Sequence, residues 1–291
     1  MRKQSWNYKK WEEQNKTGII DQVPAHPIRY TFMLTWDIFD LNKLLFFMVM
    51  VTVIIFSLIT NLPIVGLIAS MFIGLSIFSL SFFVGKTFYY AKTMGQLIAV
   101  IRTTMIENLW EDYWKPSLGA YMGWVVLMLA ITLLTNFIIN INDQESNLAT
   151  AMLTGDPVVI RAIIPYMTLP FILIMLFLYV MPLVFVNVIK TDNFNDAFKA
   201  VFTVFSKDVW RRALTGAYFK YMSLLGLLII FATAIVAVVS ELIMALFGAL
   251  GPLMVPVGME FVLLLTVVFQ IALNVFYAVS SVIAERITQQ Q

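Results

Sequence analysis

The sequence predicts an all-α polytopic membrane protein: six transmembrane helices arranged as three hairpins, each preceded by a cytoplasmic interfacial amphipathic helix. Three observations lead there. Hydrophobic residues make up 60% of the chain and charged ones only 12%, against about 45–50% and about 25% in soluble globular domains. Charge-free runs long enough to cross about 30 Å of hydrocarbon recur at 44–62, 64–85, 119–141, 163–189, 221–239 and 261–283. Finally, of 19 Lys and Arg, all but Arg161 fall before span 1, between spans 2 and 3, between spans 4 and 5, or after span 6. Cytoplasmic segments collect cations in this way, so both termini are expected in the cytoplasm.

Residues 1–27 form a polar N-terminal tail with a basic start and no apolar core, so span 1 itself is expected to act as the insertion signal. The six-span domain covers 28–287, and 288–291 are a C-terminal tail. The first interfacial helix is placed near 28–43, where Ile28, Phe32, Trp36 and Phe39 share a helical face. Spans 1 and 2 are separated only by Asn61, Leu62 and Pro63, which predicts a tight antiparallel hairpin. In span 2, Gly66, Ser70 and Gly74, with Ser81 and Gly85 below, let another backbone approach closely. A second interfacial helix is expected within 92–114, with Leu97, Ile101, Met105 and Leu109 on one face, and Trp110, Tyr113 and Trp114 suit a membrane boundary. Span 4 contains Pro165, Pro170 and Pro182, each of which predicts a kink. The polar loop 142–160 is expected on the extracytoplasmic side, and 240–258, broken by glycines and prolines, reads as a re-entrant or surface-lying segment.

The third interfacial helix, near 193–212, is the most telling. Seven charges (Asp192, Asp196, Lys199, Lys207, Asp208, Arg211, Arg212) at about 3 kcal/mol each near a bilayer centre exclude Thr191 to Ala213 from the hydrocarbon core. Yet Phe194, Phe198, Phe202 and Phe205 repeat the offsets of Ile28, Phe32, Trp36 and Phe39, so the segment lies in the interface with its cations toward anionic headgroups.

Residues Met181 to Ala213 (MPLVFVNVIKTDNFNDAFKAVFTVFSKDVWRRA) and, more faintly, Thr35 to Lys43 (TWDIFDLNK) resemble a family of uncharacterised six-span bacterial inner-membrane proteins. That family is related to the membrane domain fused to some glycerophosphodiester phosphodiesterases. The resemblance implies the six-span architecture over roughly 28–287 and carries no activity, because the soluble phosphodiesterase domain has no counterpart in this chain.

Cysteine is absent and His26 is the single histidine, so the residues supply no thiolate chemistry and no metal site, and no cofactor is expected. A net charge of +2 argues against a nucleic-acid partner. No catalytic residue is assigned, and the chain is expected not to be an enzyme. The candidate functional residues are polar groups of three kinds. Thr132, Asn136 and Asn140 on span 3, with Gln270 and Asn274 on span 6, form a candidate intramembrane polar cluster, either for helix-to-helix hydrogen bonds or for a substrate track. Lys199, Lys207, Arg211 and Arg212 are candidate headgroup contacts. Arg161 with Glu241 or Glu260 is a candidate ion pair on the outer side. The expected partners are membrane lipids and a membrane protein or a second copy. The expected role is that of an accessory, scaffold or assembly subunit, and the alternative is a transporter or lipid-handling protein with a polar intramembrane cavity.

Overall fold

The computed structural model describes residues 25–60, 62, 65–141 and 157–289, with side chains between 138 and 169 described in part. These residues form helices and no β-strand: α1 (Pro27–Leu41), α2 (Lys43–Ile59), α3 (Val65–Tyr90), α4 (Met94–Thr103), α5 (Ile106–Asp112), α6 (Trp114–Ile141), α7 (Pro157–Ile189), α8 (Phe194–Val201), α9 (Lys207–Ala213), α10 (Gly216–Ala249) and α11 (Val255–Gln289), with 3₁₀ turns at Phe202–Phe205 and Pro252–Met254. Five helices are long and apolar enough to cross a membrane, or six if the bent pair α1 and α2 counts as one crossing. The all-helical, multi-pass class is thus as expected. The tail before residue 25 and the loop 142–156 lie outside the described residues.

One amide turns the chain through 87° between α1 and α2. Asn42 Oδ1 accepts from the Leu45 N–H, capping α2, while its Nδ2 donates to the carbonyls of Ile101 and Thr104, both at 2.7 Å. The bend is therefore tied to the end of α4, and α1 runs across the direction of α2 rather than extending it. Helices α2 and α3 then approach so closely that a Cβ at Gly66 would collide with the Thr60 carbonyl, and Phe56 stacks on Phe72 with centroids 5.3 Å apart. Gly74 faces the Tyr121 ring and Gly85 faces Phe185 and Ile189, so these three glycines serve packing within the chain.

The second and third amphipathic stretches are not single helices. Thr104 (φ −75°, ψ 129°) separates α4 from α5, and Ser206 (φ −74°, ψ 130°) separates the turn after α8 from α9. Thr104 with Met105 (φ −106°, ψ 168°) redirects the chain at the first break and Ser206 alone at the second, which is bridged by Trp210 Nε1 donating to the Val204 carbonyl at 2.7 Å. Periodicity could not reveal this, since an apolar residue every third or fourth position survives so short a break.

Helix α8 packs by its small side chains. Ala197, Ala200 and Val201, followed by Val204, are buried, and α6 receives them at Gly119 and Gly123, where a Cβ would meet the Phe194 carbonyl and the Val201 side chain. The phenylalanines form a second face beside this one, with Phe194 stacked on Phe198 and Phe198 against Phe202 at 6.3 and 5.3 Å. The helix therefore has three faces: small residues inward, aromatic rings along the flank, and charges on the remainder.

Helix α7 runs for 33 residues through Pro165, Pro170 and Pro182. Tyr218 of α10 donates to the Tyr179 carbonyl at 2.6 Å, and Tyr179 in turn donates to the Ala213 carbonyl at 2.5 Å, locking α7 to the start of α10. The segment 240–258 is a correction to the sequence reading. It is neither re-entrant nor flat, because α10 continues to Ala249 and α11 begins at Val255. Gly251, at φ 116°, makes the turn in a conformation that side chains other than glycine's resist. Phe247 then seats over Gly258 and stacks on Phe261 at 5.4 Å.

Candidate functional site: a buried carboxylate lock

Ions are excluded from apolar surroundings unless partnered, so a buried charge marks where the fold has concentrated its polar chemistry. Glu285, on the last turns of α11, is only 2% exposed. Its Oε1 accepts from Lys190 Nζ at 3.3 Å and from Gln289 Nε2 at 3.0 Å, and its Oε2 accepts from Arg212 at 2.5 Å. The arrangement works because α7 ends at Ile189, leaving Lys190 at its exit. Ser206 caps α9 through the Asp208 N–H, which sets Arg212 toward α11. Asp208 lies 3.2 Å from Arg212 Nε and extends the network outward.

Two further cations close the ring around the end of α3. Arg286 donates to the Phe88 carbonyl at 3.1 Å and lies over the Phe88 ring at 4.4 Å, while Lys190 lies 4.9 Å from the Tyr89 ring. Lys86 reaches the Thr191 carbonyl at 2.9 Å and the Asp192 carboxylate at 2.5 Å. Helices α3, α7, α9 and α11 are thus joined at one end, the basic end, by charges that each have a partner. With both oxygens of Glu285 already accepting from donors, the site is built to hold helices together.

The residues singled out from the sequence lie elsewhere, except Arg212. Lys199 and Lys207 are exposed and make no ion pair among the described residues, Arg211 stands at the surface 3.7 Å from Asp208, and Arg212 is turned inward to Glu285. Asn274 receives a long 3.5 Å hydrogen bond from Ser81 of α3 and donates to the Gln270 carbonyl in its own helix. Thr132 bonds the Met128 carbonyl of its own helix, and Asn136 and Gln270 are exposed. The polar groups of α6 and α11 are therefore not joined to each other among the described residues, and the Asn140 side chain lies outside them. Arg161, Glu241 and Glu260 are all exposed and form no ion pair among the described residues. Glu285 was missed because a charge at the end of an apolar run reads as a solvated rim. The sequence held no local signal for it, since Lys190 and Arg212 lie 95 and 73 residues away from Glu285.

Comparison with protein-family models, with curated proteins and with solved structures finds no match.

A second acidic group stands apart from the lock. Asp37 on α1 is buried, and this burial, with Asp40 one turn away, pushes its carboxyl up to about 7.

Proposed function

We propose that this chain is a non-enzymatic, multi-pass protein of the bacterial inner membrane that acts by contact, as an accessory, scaffold or assembly subunit of a membrane complex. In this reading six crossings form three hairpins, the basic end and both termini are cytoplasmic, and α1, α4–α5 and α8–α9 lie in the cytoplasmic interface. The resemblance to six-span inner-membrane proteins related to the phosphodiesterase membrane domain supports the same topology.

The observation that carries the functional part is the far end of the α10–α11 hairpin. Helix α10 has 34 residues, about 51 Å at 1.5 Å per residue, against a hydrocarbon core of about 30 Å. Its tip, past Glu241, is apolar: Leu242, Leu246, Leu250 and Leu253 are exposed, Leu253 to 90%. Apolar side chains set beyond the depth of the hydrocarbon are a surface for another membrane protein. Photo-cross-linkers at Leu246 and Leu253 in natively expressed protein are expected to trap one stoichiometric membrane partner or a second copy. A clean monomer from both positions, with L246S and L253S leaving the cell's membrane complexes unchanged, overturns the reading.

A second reading, a lipid-handling protein or transporter, is favoured by a hollow between α1, α10 and α11 rather than by a polar track. The hollow is about 470 Å³ and, apart from Thr35, its walls are apolar.

A further inference from the structure

Two hollows follow one stripe of α10. Ala217, Tyr221 and Leu224 line the first, of about 740 Å³, and Leu228 and Ala232 line the second. Their offsets of 0, 4, 7, 11 and 15 place all five on one helical face. Helix α1 supplies the opposite wall of both, with Ile28 and Arg29 in the first and Phe32 and Trp36 in the second, and the Thr31 hydroxyl meets the Tyr221 hydroxyl at 2.9 Å between them.

The chemistry changes along the stripe. The first hollow carries Arg29 and Lys220, both exposed and without an ion pair among the described residues, together with His26. The second holds Phe32, Trp36, Val268 and Phe276, and its single polar side chain is Thr35, whose buried hydroxyl has no hydrogen-bond partner. From Lys220 to Ala232 is 12 residues, about 18 Å, close to the depth of one leaflet of a core about 30 Å thick. Two cations without an ion pair among the described residues at one end, followed by an apolar trough of leaflet depth, match the order of groups in a phospholipid. A protein helix would need no paired cations at one end, and a free phosphate would need no trough.

We propose that this groove is a binding site for one anionic phospholipid, its phosphate held by Arg29 and Lys220 and an acyl chain lying against Phe32, Trp36, Leu228, Ala232, Val268 and Phe276. The cations differ from those the sequence singled out on α8 and α9, and the site stands whether or not the far end of α10 binds a protein.

The test uses the full chain in nanodiscs containing brominated phosphatidylglycerol or brominated phosphatidylcholine, with quenching of Trp36 fluorescence as the readout and W36F as the blank. Native mass spectrometry of the same samples counts retained lipid. The expected result is one retained phosphatidylglycerol, preferred over phosphatidylcholine by about tenfold or more, since each cation near a membrane surface favours an anionic lipid by about 1 kcal/mol. R29Q/K220Q should abolish the preference with helicity and Tm unchanged, and A232W should displace the lipid while leaving both cations in place. Equal retention of the two lipids, or a preference that survives R29Q/K220Q, overturns the proposal. So does phosphatidylglycerol binding that appears only after residues 1–22 are deleted, because the groove then belongs to the chain's own tail. If A232W fails to fold, V268W fills the same trough from α11.

Discussion

The two ends of the α10–α11 hairpin are built on opposite principles. At the basic end, Val275 to Thr288 is buried at all but one position, and a carboxylate is locked between Lys190 and Arg212. Along α10 the buried residues are Tyr218, Tyr221 and Leu225, all near its start, and the far end has none. One end resembles the core of a soluble domain, with small residues, paired ions and close backbones. The other is a pair of helices touching mainly each other. Burial within a membrane protein is thus independent of hydropathy: the apolar far end is exposed and the charged basic end is interior. Lipid accepts apolar side chains as readily as a core does, so close packing of small residues and polar or ionic pairing, rather than hydropathy, hold helices together.

The largest break in that contrast comes from Glu285. E285A leaves the partly buried Lys190 and Arg212 without their shared anion, and about 1.5–3 kcal/mol of stability should be lost. Thermal unfolding in a fixed detergent reads this as a large drop in Tm, whereas E241A at the far end should stay within about 0.5 kcal/mol of the parent. A parent-like Tm for E285A removes the lock from the account.

Next in size is the contact of α6 with α8. G119V places a side chain against the Phe194 carbonyl, with an expected loss of about 1–3 kcal/mol. G248A, at a position with nothing within 4 Å, should be neutral or slightly stabilising because alanine favours a helix interior over glycine. Equal effects at the two glycines would erase the distinction between the ends.

N42A removes a cap and two interhelical bonds, and about 1–2 kcal/mol is expected to go with it. The loss should show as faster hydrogen exchange at the start of α2 and the end of α4, with α10 and α11 unaffected.

The smallest effect is the pH dependence of Asp37. Its carboxyl titrates near 7 in the folded chain and at the ordinary 3.8 when unfolded, so the folded state holds the proton to higher pH. Stability from this group is full below about 4 and is lost as pH rises through about 7. D37N should therefore raise Tm at pH 8 by a few degrees and change it little at pH 5. The same gain at both pH values would mean that ionisation is not the cause.

Much of the fold was legible in the sequence because lipid applies one crude rule to every residue. Each predicted charge-free run lies almost entirely in a helix or a bent helix pair, and the amphipathic segments before α2, α6 and α10 are helical as expected. The ends were not legible. A charge terminates a hydropathy run, but it does not break backbone hydrogen bonds, so α10 and α11 extend well past 239 and before 261. The breaks at Thr104 and Ser206 escaped for the complementary reason, since they lie inside uninterrupted periodicity. The candidate residues fared unevenly. Arg212 was noticed as a cation but assigned to the surface, and Glu285 was passed over, although the two form a single site.

The sequence by itself determined the class of this protein, all-helical and multi-pass, because partition between water and hydrocarbon is decided residue by residue and adds along the chain. Tertiary structure alone decided which charges became interior, which aromatic faces stayed on the flank, and that Arg29 and Lys220 line one hollow along the same α10 stripe as an apolar one. Those outcomes depend on pairs of residues far apart in the chain meeting at hydrogen-bond distance, and no local pattern encodes such a meeting.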